Sequence, residues 1–152
     1  MEEYRLGVKA SWITILANVI LSAIKIAAGI IGKSSAMLAD GVHTLSDVLT
    51  TFVVLMGLKI SSKEADEKHP YGHEKYEPVF AKLLSILLGI TGLYIGYEGI
   101  KVLRSGNIQV PGRIALIAAI ISIVTKEVMY RYTIKVGRKI KSLSMEADAW
   151  HH

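Results

Sequence analysis

Ser34-Ser-Ala-Met37-Leu-Ala39-Asp40-Gly-Val-His43 is echoed by Ser142-Leu-Ser-Met145-Glu-Ala147-Asp148-Ala-Trp-His151, with serine, methionine, alanine, aspartate and histidine at matching offsets. The first copy runs on to Asp47, one helical turn past His43; the second reaches His152 before the position that would match Asp47. A His and an Asp four residues apart on a helix point the same way. Two such pairs on two helices would supply four ligands to a tetrahedral divalent cation. The chain holds three of them: His43, Asp47 and His151. A terminal His-His pair also resembles a purification tag, but the matching Met, Ala and Asp argue against that origin. His152 has no histidine counterpart at Thr44 and is not counted as a ligand. A second cluster, Asp66-x-x-His69-x-x-x-His73, has the spacing of a three-ligand site with an open position, and Pro70 and Gly72 shape the turn between its histidines. Alone it reads equally well as a polar loop with surface histidines. Glu67, Glu74 and Glu77 add negative charge nearby.

The elements that position these residues are legible in the hydropathy. Of the 152 residues, 51% are hydrophobic, and they lie in long blocks. A helix needs roughly 20 apolar residues to span a bilayer. Blocks run from Leu6 to Ile31, Ala36 to Ile60, Val79 to Val102 and, more briefly, Ile114 to about Val128. The expected architecture is all-α: a membrane helix bundle with four transmembrane helices and the start of a fifth. The helices are expected over about 6–32, 35–61, 78–104, 113–139 and 143–152, with Ser34 or Ser35 capping the second and Ser142 or Ser144 the fifth. Pro70, Gly72 and Pro78 mark the longest loop, and Ser105 to Gly112 a further turn.

The net charge is +5. The basic residues fall between the apolar blocks, a pattern of membrane topology rather than of nucleic-acid binding. One set of loops carries Arg5, Lys9, Lys59, Lys63, Lys68, Lys75, Arg131, Lys135, Arg138, Lys139 and Lys141. The other carries Lys33, Lys101, Arg104 and Arg113. The richer side is expected in the cytoplasm, with the N-terminus, in a multi-pass protein of the cell (inner) membrane. No secretory signal pattern is visible. Cysteine is absent, so imidazole and carboxylate are the strong ligands on offer.

On the second helix Asp40, His43, Asp47 and Thr51 share one stripe, with Thr44 at its edge, among Leu, Val, Phe, Met and Ala. An ionisable stripe on a spanning helix faces the bundle interior and is usually functional. The alternative is a polar packing cluster, and for Asp40 alone that structural role is preferred. Asn18 and Lys25 share a face of the first helix; Lys25 is expected to pair with a carboxylate such as Asp40 or to snorkel. Glu98 and Lys101 are spaced to pair. Lys126 and Glu127 are expected to anchor an interface, and none of these is assigned to metal. Gly92 and Gly96 form a Gly-x-x-x-Gly suited to close helix approach.

Together Leu-Ala-Asp40-Gly-Val-His43-Thr-Leu-Ser-Asp47, His69-Pro-Tyr-Gly-His73 and Ala-Asp148-Ala-Trp-His151-His152 resemble the cation diffusion facilitators, over the whole chain. The resemblance implies a dimeric carrier with six membrane helices, usually with a cytosolic C-terminal domain, that exports divalent metal in exchange for protons. It implies a transport site at His43, Asp47 and His151 and a loop site at Asp66, His69 and His73. Residues 1–152 would then be the N-terminal part of such a transmembrane domain, with the cytosolic domain absent. The two histidines favour Zn²⁺, then Fe²⁺, and tolerate Mn²⁺, Co²⁺ or Cd²⁺. Expected partners are the metal, protons, lipid and a second copy, not nucleic acid. The rivals are a non-transporting membrane subunit that binds metal or a partner through its glycine-rich third helix, a membrane metalloenzyme with Asp40 as base, and, weakest, a soluble bundle. The carrier reading makes the chain no enzyme.

Overall fold

The structure, a computed structural model, describes residues 2–66, 69–106 and 112–152. Glu67, Lys68 and the turn residues 107–111, singled out above as a charged and a turn segment, lie outside the described residues. Among the described residues five helices follow one another: α1 Glu2–Ile31, α2 Ser35–Ser61, α3 Tyr76–Ser105, α4 Arg113–Lys139 and α5 Leu143–His151. The expected boundaries differ at two starts. α1 begins earlier because Glu2 and Glu3 suit the positive end of a helix. α3 begins ahead of Pro78, which its first turn tolerates because the missing N–H would have no partner there.

Burial is inverted relative to a water-soluble bundle. Ser11, Thr14, Asn18, Ser22 and Lys25 of α1 are buried, while Trp12, Ile13, Leu16, Val19, Ile20 and Ile24 are exposed. In hydrocarbon the apolar side chains need no cover, and the polar ones are turned into the bundle, where Thr14, Ser22 and Lys25 find partners. α1, α2 and α3 are long and apolar enough to cross a membrane. α4 has the length of α2 but more charge, its second half carrying Lys126, Glu127, Arg131, Lys135, Arg138 and Lys139. Lys126 nonetheless points inward (see below), so composition overstates the charge that α4 shows to its surroundings.

The repeated motif is a repeated corner. Each copy begins in a helix end with a lysine in the left-handed region, Lys33 at φ 47° and Lys141 at φ 54°. Ser34 N–H then donates to Gly29 O at 2.9 Å, and Ser142 N–H to Gly137 O at 3.0 Å. These are the long-range bonds of a Schellman helix end. The same serines cap the following helix, each side chain accepting from the N–H of Met37 or Met145 at 3.2 Å. Thus α1–α2 and α4–α5 are two versions of one helical hairpin. α1 packs along α2 and α4, α4 along α5, and α3 reaches α2 and α5.

Two apolar clusters bracket the bundle. Ala10, Val54, Leu58, Leu84, Val136 and Met145 form one; Ala28, Met37, Ala115 and Ala118 form the other. α3 joins the first through Leu84 and leaves its glycine stripe free: a Cβ on Gly89, Gly92, Gly96 or Gly99 would meet nothing within 4 Å. The corner glycines are the opposite case. A Cβ on Gly29 would lie 2.8 Å from the backbone nitrogen of Leu38. Gly29→Ala should therefore destabilise the detergent-solubilised protein by about 1–3 kcal/mol, the usual range for overpacking. Gly89→Ala should stay within about 0.5 kcal/mol, as surface changes do. Thermal unfolding of the two variants side by side checks the contrast.

Candidate metal centre

α2 presents its polar stripe to the bundle interior. Thr44, Asp47 and Thr51 are each 1% exposed, whereas Val42, Leu45 and Leu49 on the far side are open. α1 is tied to the start of this stripe at two points: Ser22 Oγ donates to Gly41 O at 2.7 Å, and Lys25 Nζ lies 2.8 Å from Asp40 Oδ2 and donates to Thr44 Oγ1 at 2.9 Å. Asp40 is thus paired with Lys25, which does not snorkel.

α5 is held by hydrogen bonds to α2 through Asp148 and to α3 at its start. Asp148, 1% exposed, accepts from Thr50 Oγ1 at 3.2 Å and Thr51 Oγ1 at 3.1 Å. At the start of α5, Glu77 Oε1 accepts from Ser142 Oγ at 2.6 Å, Ser144 N at 3.0 Å and Ser144 Oγ at 2.7 Å. A carboxylate at a helix N-terminus is favoured by the free N–H groups and by the dipole. Glu77 belongs to α3, so it fixes α5 relative to the loop that precedes α3.

This scaffold brings His151 to Asp47. His151 Nε2 and Asp47 Oδ1 are 3.1 Å apart, and His43 Nε2 is 4.0 Å from the same oxygen. The two imidazoles meet edge to face, ring centres 5.5 Å apart. One ligand atom from each of the three residues falls within 4.8 Å of the others. They line a cavity of about 590 Å³ with Lys25, Asp40, Thr44, Ser122, Lys126, Trp150 and His152. Two imidazoles and a carboxylate on a shared point are a donor set for a borderline divalent metal, with room for a further ligand.

Sequence reasoning missed two members of this cavity. Lys126 was expected at an interface; instead its Nζ lies 2.6 Å from Asp47 Oδ2, with 14% of its side chain exposed. A signal was present. Ala115, Ala118, Ser122, Met129 and Thr133 mark the buried face of α4 at helical spacing, and Lys126 falls among them. Its neighbour Glu127 is exposed at the cavity rim and pairs with Arg131 at 2.6 Å. His152 is the second. It lines the cavity, and both of its ring nitrogens are buried without a hydrogen-bond partner.

The loop residues also come together. Asp66 Oδ1 is 3.1 Å from His69 Nδ1 and accepts from the His69 N–H at 2.7 Å; Asp66 Oδ2 is 3.6 Å from His73 Nε2. His73 Nδ1 lies 3.2 Å from Glu64 O, and His69 Nε2 lies 3.2 Å from Tyr76 Oη. One ligand atom from each again falls within 4.8 Å of the others. This cluster differs in setting: the side chain of Asp66 is 54% exposed and that of His69 39%, whereas that of His73 is 8% exposed. Glu98 and Lys101 pair as expected, at 3.3 Å on an exposed face.

Residues 11–152 match the family model described as the cation efflux transmembrane domain. An uncharacterized transporter of Methanocaldococcus jannaschii is 39% identical over 92% of this chain and 50% of its own length. The manganese efflux system protein MneP of Bacillus subtilis is 40% identical over 99% of this chain and 50% of its own. The magnetosome protein MamB of Magnetospira sp. is 34% identical over 91% of this chain and 47% of its own. The chain thus spans about half the length of these relatives. The Glu77 latch generates a test independent of metal. Glu77→Ala removes a charged acceptor from three donors at the head of α5 and should cost about 1–3 kcal/mol in thermal unfolding, whereas Glu74→Ala, which is exposed, should cost nothing measurable.

Proposed function

This chain belongs to the cation efflux family, and from that membership and the intramembrane cluster we propose that it is the metal-carrying part of a divalent-cation exporter, a carrier and not an enzyme. The convergence of His43, Asp47 and His151 inside a bundle with an apolar exterior supports this reading most directly. Imidazole binds metal only when neutral, and carboxylate only when ionised, so metal entry expels protons. Reprotonation from the far side weakens the site and releases the ion, which is a chemical basis for proton antiport. Alternating access would come from rocking of helix groups about the shared site; the paired hairpins α1–α2 and α4–α5 are suited to such movement.

The donor set favours Zn²⁺, then Fe²⁺, on ligand softness. The manganese efflux relatives add Mn²⁺, which imidazole and carboxylate also accept. The loop cluster of Asp66, His69 and His73 is proposed as a second, water-exposed cation site at one mouth of the bundle. A homodimer in the cell membrane, with the N-terminus in the cytoplasm, completes the proposal; the excess of basic residues in one set of loops supports that orientation.

Flux in proteoliposomes tests the reading. Asp47→Ala and His43→Ala should reduce Zn²⁺, Fe²⁺ and Mn²⁺ flux to the level of empty vesicles. His69→Ala and His73→Ala should leave measurable flux. An opposing proton gradient should accelerate the wild type, and collapsing it should slow the wild type. Undiminished flux in Asp47→Ala contradicts the assignment.

A further inference from the structure

We propose that Lys126 decides how Asp47 holds its cation: it engages the Oδ2 oxygen, leaves Oδ1 to the metal together with His43 and His151, and keeps the site weak enough to release its cargo. This rests on the reading of that cluster as the transport site.

Asp47 is a carboxylate at 2% side-chain exposure, and a buried anion needs a counter-charge. The two lysines that line the cavity are differently committed. Lys25 is engaged by Asp40 and Thr44. Among the described lysines and arginines Lys126 is the one paired with Asp47, from α4, a helix that contributes no ligand to the cluster. The two oxygens of Asp47 are divided between neighbours: the imidazoles of His151 and His43 approach Oδ1 at 3.1 and 4.0 Å, and the ammonium approaches Oδ2 at 2.6 Å. A carboxylate whose second oxygen is engaged in a charge-assisted bond offers a metal one oxygen only.

Two consequences follow from charge and geometry. With Lys126 beside it, Asp47 meets an incoming dication as half of a neutral pair rather than as a lone anion. The attraction is correspondingly smaller in a site of low dielectric. A carrier gains from this because it must let its ion go. Monodentate carboxylate with two imidazoles also suits small four-coordinate ions, and disfavours Ca²⁺, which takes more oxygens and often both from one carboxylate. Lys126 is therefore a positioning residue that acts through Asp47.

The test uses the chain in lipid nanodiscs with His69→Ala and His73→Ala, so that the loop cluster is silent. Zn²⁺ affinity is measured by competition with a chelator, and carboxylate coordination by infrared difference spectra on Zn²⁺ addition. In the Lys126-containing protein the asymmetric and symmetric carboxylate stretches should be widely separated, the signature of monodentate binding. Lys126→Met should bind Zn²⁺ about tenfold or more tightly, by loss of a nearby like charge, and should narrow that separation. Lys126→Arg should restore both values. Asp47→Ala should abolish binding. A narrow separation with Lys126 present overturns the proposal without any variant at that position. So does unchanged or weaker affinity in Lys126→Met while Asp47→Ala is still inactive. If Asp47→Ala binds Zn²⁺ as well as its parent, the transport-site reading itself falls, and the role of Lys126 with it.

Discussion

A carboxylate enclosed in a membrane bundle is the constraint on which the rest of this structure turns. Asp47 is buried, and an ionised group in that position persists only with charge and hydrogen-bonding partners within its own fold. Those partners come from three helices: His43 one turn away on α2, His151 on α5 and Lys126 on α4. Each is delivered by a different helix, with α4 packed on α1 and α5 and α5 also meeting α2, so one side chain depends on the placement of three elements. The same enclosure that makes Asp47 costly would strengthen its hold on the cation proposed for it, because its attraction for charge is little screened.

Delivery of α5 depends on a set of polar contacts that an apolar interface would not specify. Asp148 accepts from Thr50 and Thr51, and Glu77 caps the first turn. Both anchors are hydrogen-bonded acceptors with defined direction, so α5 is fixed in rotation as well as position. Rotation matters, because His151 must face Asp47 while Trp150 beside it is 67% exposed. Glu77 also lies one residue beyond Tyr76, whose hydroxyl meets His69. The head of α3 therefore joins the exposed cluster to the helix that supplies His151, one continuous set of contacts between the two proposed sites.

Much of this was legible in the residues. The helix spans follow from apolar blocks of bilayer length, and the repeated Ser-Met-Ala-Asp-His pattern marks two helices that put a histidine in the same place. The reason the pattern repeats was not legible beyond its serine caps. It lies in the corner, where Gly29 and Gly137 admit the next helix and Lys33 and Lys141 adopt the left-handed conformation; a lysine is not the residue that usually signals that turn. Lys126 was misjudged because a charge beside Glu127 near a helix end resembles an interface pair. Only the buried face of α4 separates the two, sending Lys126 to Asp47 and Glu127 to Arg131. Asp40 and Asp148 occupy the same place in the repeat yet bond differently, to Lys25 and to threonines, because their partners lie on other helices and no motif records them.

The central claim is that His43 and His151, from different hairpins, bind one cation together with Asp47. X-ray absorption at the Zn edge on protein carrying His69→Ala and His73→Ala tests it most directly, since imidazole gives a distinct outer-shell pattern. The account predicts two imidazoles and at least one oxygen around a single Zn²⁺, falling to one imidazole in His151→Ala. A first shell of oxygen alone, or an imidazole count that His151→Ala leaves unchanged, would contradict it.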